Sequence, residues 1–120
     1  MPYADSDFFL ALIKPEDRLG KEAVEIYHRF KGRIYTSIAT IIELSLVAVK
    51  QSIPVEELIV NVLRIAKVEE VETSKILFAV HLITYEKFSV FDAFHASLCE
   101  GEIISSNHIY DGINLKRIKL

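Results

Sequence analysis

Glu43 is the residue whose setting asks most for a chemical explanation. It lies inside a run with helical spacing, with Ala39 four residues before it, Leu46 three after and Val47 four after, which puts its carboxylate on or beside an apolar stripe. An unpaired charge there is costly to desolvate, so it needs an arginine, a cation or a water-filled cleft beside it, unless the position is an edge that reaches solvent. The spacing leaves both readings open. Two more carboxylates have comparable settings. Asp5 follows a short strand pattern and precedes a helix, where it can also serve simply as an N-cap. Asp92 stands three residues after Ser89, a capping arrangement that the helix dipole also favours. The case for a site rests on the set. All three acids stand near a helix start or an apolar face that would bring them to one end of a sheet. Carboxylates meeting there would need a cation to relieve their repulsion.

Other reactive side chains form no comparable pattern. His28, His81, His95 and His108 include no pair within one helical turn, so the sequence offers no zinc motif, and they read as satisfied structural histidines. Cys99 has no adjacent base and reads as a small buried residue. Lys14, Arg18, Lys21, Arg29, Lys31 and Arg33 form one basic grouping, and Lys116, Arg117 and Lys119 a second. Solvated helix faces and an edge strand account for both.

The elements that must position the acids follow from periodicity and punctuation. Pro2 to Ala4 reads as a short strand, followed by a helix from Ser6 to Ile13 that Pro15 ends. A second helix runs from Glu16 to Lys31, stopped by Gly32, and Arg33 to Tyr35 reads as strand. Thr36 or Ser37 caps the Glu43 helix, whose buried face is expected at Ala39, Ile42, Leu46 and Val49. Pro54 opens the next helix at its first position, with Val55, Leu58, Val62 and Ile65 on its apolar face. Thr73 caps a helix through Tyr85, and Ser89 one through Leu98. Ile103 and Ile104, then Ile118 to Leu120, complete the strands. Short strands alternating with helices predict an α/β fold with a small, mainly parallel sheet flanked by helices. In such sheets ligands collect outside the carboxyl ends of the strands, where Asp5 and Asn107 are expected.

Length and composition set the outer bounds. The 120 residues, 51% of them hydrophobic, suit a single domain over residues 1–120 with a real core. A net charge of −3 excludes nucleic-acid binding by bulk positive charge. Four scattered glycines cannot form a dinucleotide fingerprint or a phosphate-binding loop. The longest stretch free of Asp, Glu, Lys and Arg, Ile76 to Tyr85, has 10 residues, about half of the roughly 20 that a membrane span needs. One cysteine excludes an internal disulfide, and the start lacks a secretory signal pattern. A cytoplasmic location, with no membrane association, is the expectation.

Four strings, in order along nearly the whole chain, carry a family resemblance. They are Ala4 to Leu12, "ADSDFFLAL"; Ser37 to Val47, "SIATIIELSLV"; Phe88 to Ser97, "FSVFDAFHAS"; and Ile103 to Leu120, "IISSNHIYDGINLKRIKL". Together they resemble the PIN-domain ribonucleases, especially the VapC type of prokaryotic toxin–antitoxin systems. The resemblance implies a PIN-like three-layer α/β/α fold and a metal-dependent endoribonuclease, the toxin of a toxin–antitoxin pair. It places Asp5, Glu43 and Asp92 at the family's acidic positions as ligands of Mg²⁺ or Mn²⁺. Asp5 and Asp92 would bind the metal, Glu43 would orient or deprotonate the attacking water, and Asn107 would position a further water. Ser6 and Ser105 would support them by hydrogen bonding. The implied partners are an RNA substrate, an antitoxin-like protein and a second copy in a homodimer, with basic residues of the Lys14 to Arg33 arm along the cleft rim.

One departure bears on activity. Where the family carries its fourth acid, this chain has Asn107 after Ser105. An amide oxygen can still ligate, but the site loses a negative charge and with it divalent affinity. Asp111 would substitute if the loop folded back; as a residue beside Gly112 it also reads as an ordinary turn residue. Asn107 is therefore also the feature that favours a different reading, a catalytically weakened module that binds an antitoxin-like protein or RNA.

Overall fold

The computed structural model describes all 120 residues. Five strands form one fully parallel sheet: β1 (Tyr3–Ala4), β2 (Tyr35–Ser37), β3 (Lys67–Glu69), β4 (Glu102–Ser105) and β5 (Lys116–Lys119), in the order β3-β2-β1-β4-β5. Six helices connect them: α1 (Ser6–Ile13), α2 (Gly20–Phe30), α3 (Ile38–Lys50), α4 (Val55–Ile65), α5 (Thr73–Tyr85) and α6 (Val90–Leu98). A single 3-10 turn, His108–Gly112, joins β4 to β5.

Alternation along the central strands divides the core in two, because successive side chains point to opposite faces. Tyr3 and Ile103 face a cluster with Ala79, Leu82 and Phe88 of the α5 and α6 side. Ala4 and Ile104 face a second cluster with Phe8, Phe9, Leu58 and Val62 of the α1 and α4 side. The expected three-layer architecture follows. α3 spans the edge of both layers, contributing Ala39 to the first cluster and Leu44 and Ala48 to the second.

Several local expectations are corrected. The α3 stripe is rotated: Ala39, Thr40, Leu44 and Ala48 are buried, whereas Ile42, Leu46 and Val49 are exposed. The second helix starts at Gly20, since Asp17 uses its carboxylate on the Leu19 N–H and turns the chain before it. β2 lies later than expected, at Tyr35–Ser37, with Ser37 both ending the strand and capping α3 through the Ala39 N–H. Pro54 is the N-cap of α4 rather than its first residue, and Glu72 rather than Thr73 is the N-cap of α5. β3 has no counterpart in the sequence reading: it is an edge strand with Lys67 and Glu69 exposed, so it lacks an apolar signature.

The strand order reverses between β1 and β4, since β2 and β3 lie to one side and β5 to the other. That is the switch point at which a parallel sheet opens a crevice beyond its carboxyl ends. Asp5 directly follows β1, and Ser106 and Asn107 directly follow β4.

Candidate active site

Asp5 caps α1, accepting the Ser6 N–H at Oδ1 over 2.6 Å, and is only 6% exposed. Its capping role and its place at the crevice are therefore the same geometry. Glu43 projects from the second turn of α3, with its side chain 25% exposed. It sits at the edge of the buried face and accepts the Ser6 hydroxyl at 2.5 Å. Asp92 occupies the first turn of α6, capped by Ser89. The three sequence-designated acids thus come to one end of the sheet from three different helices.

The side chain that joins two of them is His95, one turn after Asp92 and fully buried. Its Nε2 lies 2.9 Å from Glu43 Oε1 and 3.1 Å from Asp5 Oδ1. On the other side of the ring, Nδ1 is 2.8 Å from the Tyr3 hydroxyl, which also lies 2.6 Å from Ser37 Oγ. His95 satisfies its ring nitrogens, as expected, but it does so inside the site. Burial alone would disfavour the imidazolium; the Glu43 hydrogen bond and the charges of Asp5, Glu43 and Asp92 outweigh it and raise the pKa above the ordinary histidine value. Burial likewise disfavours ionised Glu43, yet hydrogen bonds from His95 and Ser6 lower its pKa.

Asp92 joins the group through Tyr110. This buried hydroxyl lies 3.1 Å from Asp5 Oδ2 and 3.2 Å from Asp92 Oδ1. Burial and then the charges of the two aspartates push the phenol far above its usual range, so it remains a neutral donor between them. Ser105 donates to Asp5 Oδ2 at 3.1 Å. Asp5, Glu43 and His95 have ligand atoms all within 4.8 Å of one another.

Asn107 is tied into the loop after β4 and to Asp92. Its Oδ1 accepts the Ile109 N–H at 3.0 Å, capping the 3-10 turn, and its Nδ2 donates to Asp92 Oδ2 at 3.3 Å. The amide oxygen caps the turn with one of its two lone pairs, and the amide nitrogen braces an acid. Asp111 does not fold back: its exposed carboxylate is held by Arg117 and His108, and Arg117 chiefly lowers its pKa. Lys14 and Arg33 lie at the opposite end of the sheet. Lys14 ends α1 beside Gln51 at the end of α3, and Arg33 precedes β2. Arg117 reaches the end of β4, donating to the Ser105 carbonyl at 3.1 Å.

Asp7, Tyr3 and Tyr110 were not singled out in the sequence. Asp7 Oδ2 accepts the Ser106 N–H at 2.8 Å and the Ser106 hydroxyl at 2.5 Å, tying α1 to the loop after β4, while its buried Oδ1 has no partner. Burial and the charge of Asp5 raise its pKa. The one legible signal was spacing: Asp7 lies two residues from Asp5, and His95 lies three from Asp92, hence on the same helical face. Nothing local marks Tyr3 or Tyr110.

The PIN domain family model matches residues 3–115. The chain belongs to the PIN domain family. No curated protein sequence matches it. Two solved structures share the PIN fold seen here. One is VapC20 from Mycobacterium tuberculosis, a toxin that cleaves the sarcin–ricin loop, with a TM-score of 0.81, 14% identity, and 96% of each chain covered. The other belongs to a toxin–antitoxin complex from Klebsiella pneumoniae, with a TM-score of 0.74, 16% identity, and 99% of this chain and 97% of that one covered. This PIN domain has no helix long and apolar enough to cross a membrane.

Proposed function

We propose that this PIN domain is a single-domain, cytoplasmic, divalent-metal-dependent endoribonuclease, the toxin of a toxin–antitoxin pair. The observation that carries the reading is the convergence of Asp5, Glu43 and Asp92 at the sheet's switch point, with only His95 as a cationic neighbour among their hydrogen-bond partners. The donor set fits a divalent cation: the Asp5 and Glu43 carboxylates are hard ligands lying with His95 within 4.8 Å, Glu43 is part-exposed, and Asp92 is linked to Asp5 through Tyr110.

Asp5, Asp92 and Glu43 would hold Mg²⁺ or Mn²⁺. When bound, the cation would make water more acidic and stabilise the doubly charged pentacovalent phosphate. Glu43, more accessible than Asp5, orients the attacking water and takes its proton. Ser6 holds Glu43 in place, and Tyr110 fixes Asp5 against Asp92. Asn107 braces Asp92 while capping the loop after β4, in place of a fourth acid.

The relatedness in fold to toxin structures supports an antitoxin-like partner and an RNA substrate. A homodimer is supported by the exposed apolar residues Ile42, Leu46 and Val49 of α3 with Leu77 and Val80 of α5. The test is cleavage of RNA by the full chain in Mn²⁺, and its loss in EDTA and in Asp92→Asn; unchanged cleavage in that variant removes the mechanism. A second reading, a weakened module acting by binding, draws on Asn107, whose oxygen is occupied by the Ile109 N–H. Failure of Mn²⁺ to bind in calorimetry, together with tight binding of an antitoxin-like peptide, would establish it.

A further inference from the structure

We infer that His95 is a direct ligand of the divalent cation through Nε2, making this a mixed oxygen and nitrogen site that prefers Mn²⁺ to Mg²⁺. The inference rests on the metal-dependent reading above and adds the ligand and the choice of ion. The imidazole is fully buried and aims Nε2 between two carboxylate oxygens, 2.9 Å from Glu43 and 3.1 Å from Asp5. Adjacent ligands of an octahedral ion bound at about 2.1 Å stand about 3.0 Å apart. Nε2 therefore already stands at the spacing of a neighbouring ligand from each of the two oxygens, and all three ligand atoms lie within 4.8 Å of one another. A cation would take the place that an Nε2 proton holds between the same two acids.

The far side of the ring is equipped for that role. A ligating imidazole needs its other N–H held by an acceptor, which fixes the tautomer and the ring plane. His95 Nδ1 faces the Tyr3 oxygen at 2.8 Å, and Tyr3 can donate in turn to Ser37 Oγ at 2.6 Å. That chain lets Nδ1 carry the proton and leaves the Nε2 lone pair facing Asp5 and Glu43. Tyr3 is fully buried and its pKa is raised by burial, so it acts as a neutral phenol throughout. Transition ions accept imidazole more readily than Mg²⁺, which keeps to oxygen ligands; Mn²⁺, the hardest of that series, takes carboxylates and a nitrogen together.

Pulsed electron paramagnetic resonance of Mn²⁺ bound to the full chain reads the ligand directly. The expected result is a ¹⁴N coupling typical of directly bound imidazole, replaced by the ¹⁵N pattern after ¹⁵N-histidine labelling, and absent in His95→Gln. The labelling experiment needs no variant, so the inference stays testable if His95→Gln fails to fold. Calorimetry should give Mn²⁺ a Kd at least about tenfold tighter than Mg²⁺, with the difference shrinking in His95→Gln. Tyr3→Phe should weaken Mn²⁺ binding about tenfold through the ring's support. Bound Mn²⁺ without nitrogen coupling, or with coupling that persists in His95→Gln, overturns the His95 assignment and leaves the metal-dependent reading standing. No Mn²⁺ binding at all, with RNA cleavage persisting in EDTA, overturns both.

Discussion

Asn107 donates its side-chain amide to Asp92 Oδ2 at 3.3 Å, which makes the residue at the position of a fourth acid a brace for the third one. Without a cation, a carboxylate at 107 would face Asp92 as a like charge and would lose the donated hydrogen bond. With a cation, the same carboxylate would add a ligand charge.

Asn107→Asp should therefore act in opposite directions with and without metal. In EDTA we expect a loss of about 1–2 kcal/mol in stability, seen as a lower Tm. In Mn²⁺ we expect tighter binding and faster RNA cleavage. Thermal scans in both conditions with a cleavage assay check this, and a lowered Tm in both with no gain in cleavage would refute it.

Asp92→Asn should keep the fold and lose the reaction. The amide preserves size, and Tyr110 can still donate to its oxygen, but its Nδ2 would face the Asn107 amide nitrogen and lose that hydrogen bond, so Tm in EDTA should fall modestly, by the equivalent of about 1 kcal/mol. Cleavage should fall by about 100-fold or more, since the proposed mechanism loses a charge that would hold the metal. Circular dichroism beside a fluorogenic RNA assay separates the two effects.

Tyr110→Phe removes a buried donor shared by Asp5 and Asp92. Leaving those oxygens short of a partner should cost about 1–3 kcal/mol in EDTA. Added Mn²⁺ should restore more stability to this variant than to the wild type, because a cation relieves the same repulsion. Equal Mn²⁺ shifts in Tm for both proteins would count against a bridging role for the phenol.

The stability of the metal-free protein should fall as pH rises past neutrality. His95 has a folded pKa above its ordinary 6.5, so its contribution is complete below that value and is lost as pH rises through the raised pKa. Glu43 has a folded pKa below its ordinary 4.5, so its contribution is complete above that value and is lost as pH falls through the lowered pKa. Their joint contribution is greatest between about pH 4.5 and 6.5. Asp7, whose pKa is raised, also weakens the fold as pH rises, but it is present in both proteins of the comparison. Denaturant titrations in EDTA should show His95→Gln with a shallower alkaline decline than the wild type.

Apart from β3, the order of strands and helices was legible from the sequence, as was the expectation that three acids meet at one end of the sheet. Phe8 and Phe9 with Ile13, or Leu58 with Val62, carry helical periodicity, and Asp5 and Asp92 stand at capping positions that any helix start would use. The family strings added Glu43, whose mid-helix setting was ambiguous. β3 and the rotation of α3 were not legible. An edge strand with exposed Lys67 and Glu69 has no apolar period, and α3 carries apolar residues on more faces than the sheet can cover.

Tertiary structure alone decided what surrounds the acids. Tyr3 and Tyr110 are distant in sequence from the groups they hold, and their roles depend on β1 and β4 pairing side by side at the switch point. His95 gained its meaning in the same way: its helix sets it near Asp92, but only the packing of α6 against α3 brings its ring to Glu43. Local interactions encode where elements begin and which face is apolar. The charge balance of a buried site is set by which side chains meet across the fold, and those distances are not written along the chain.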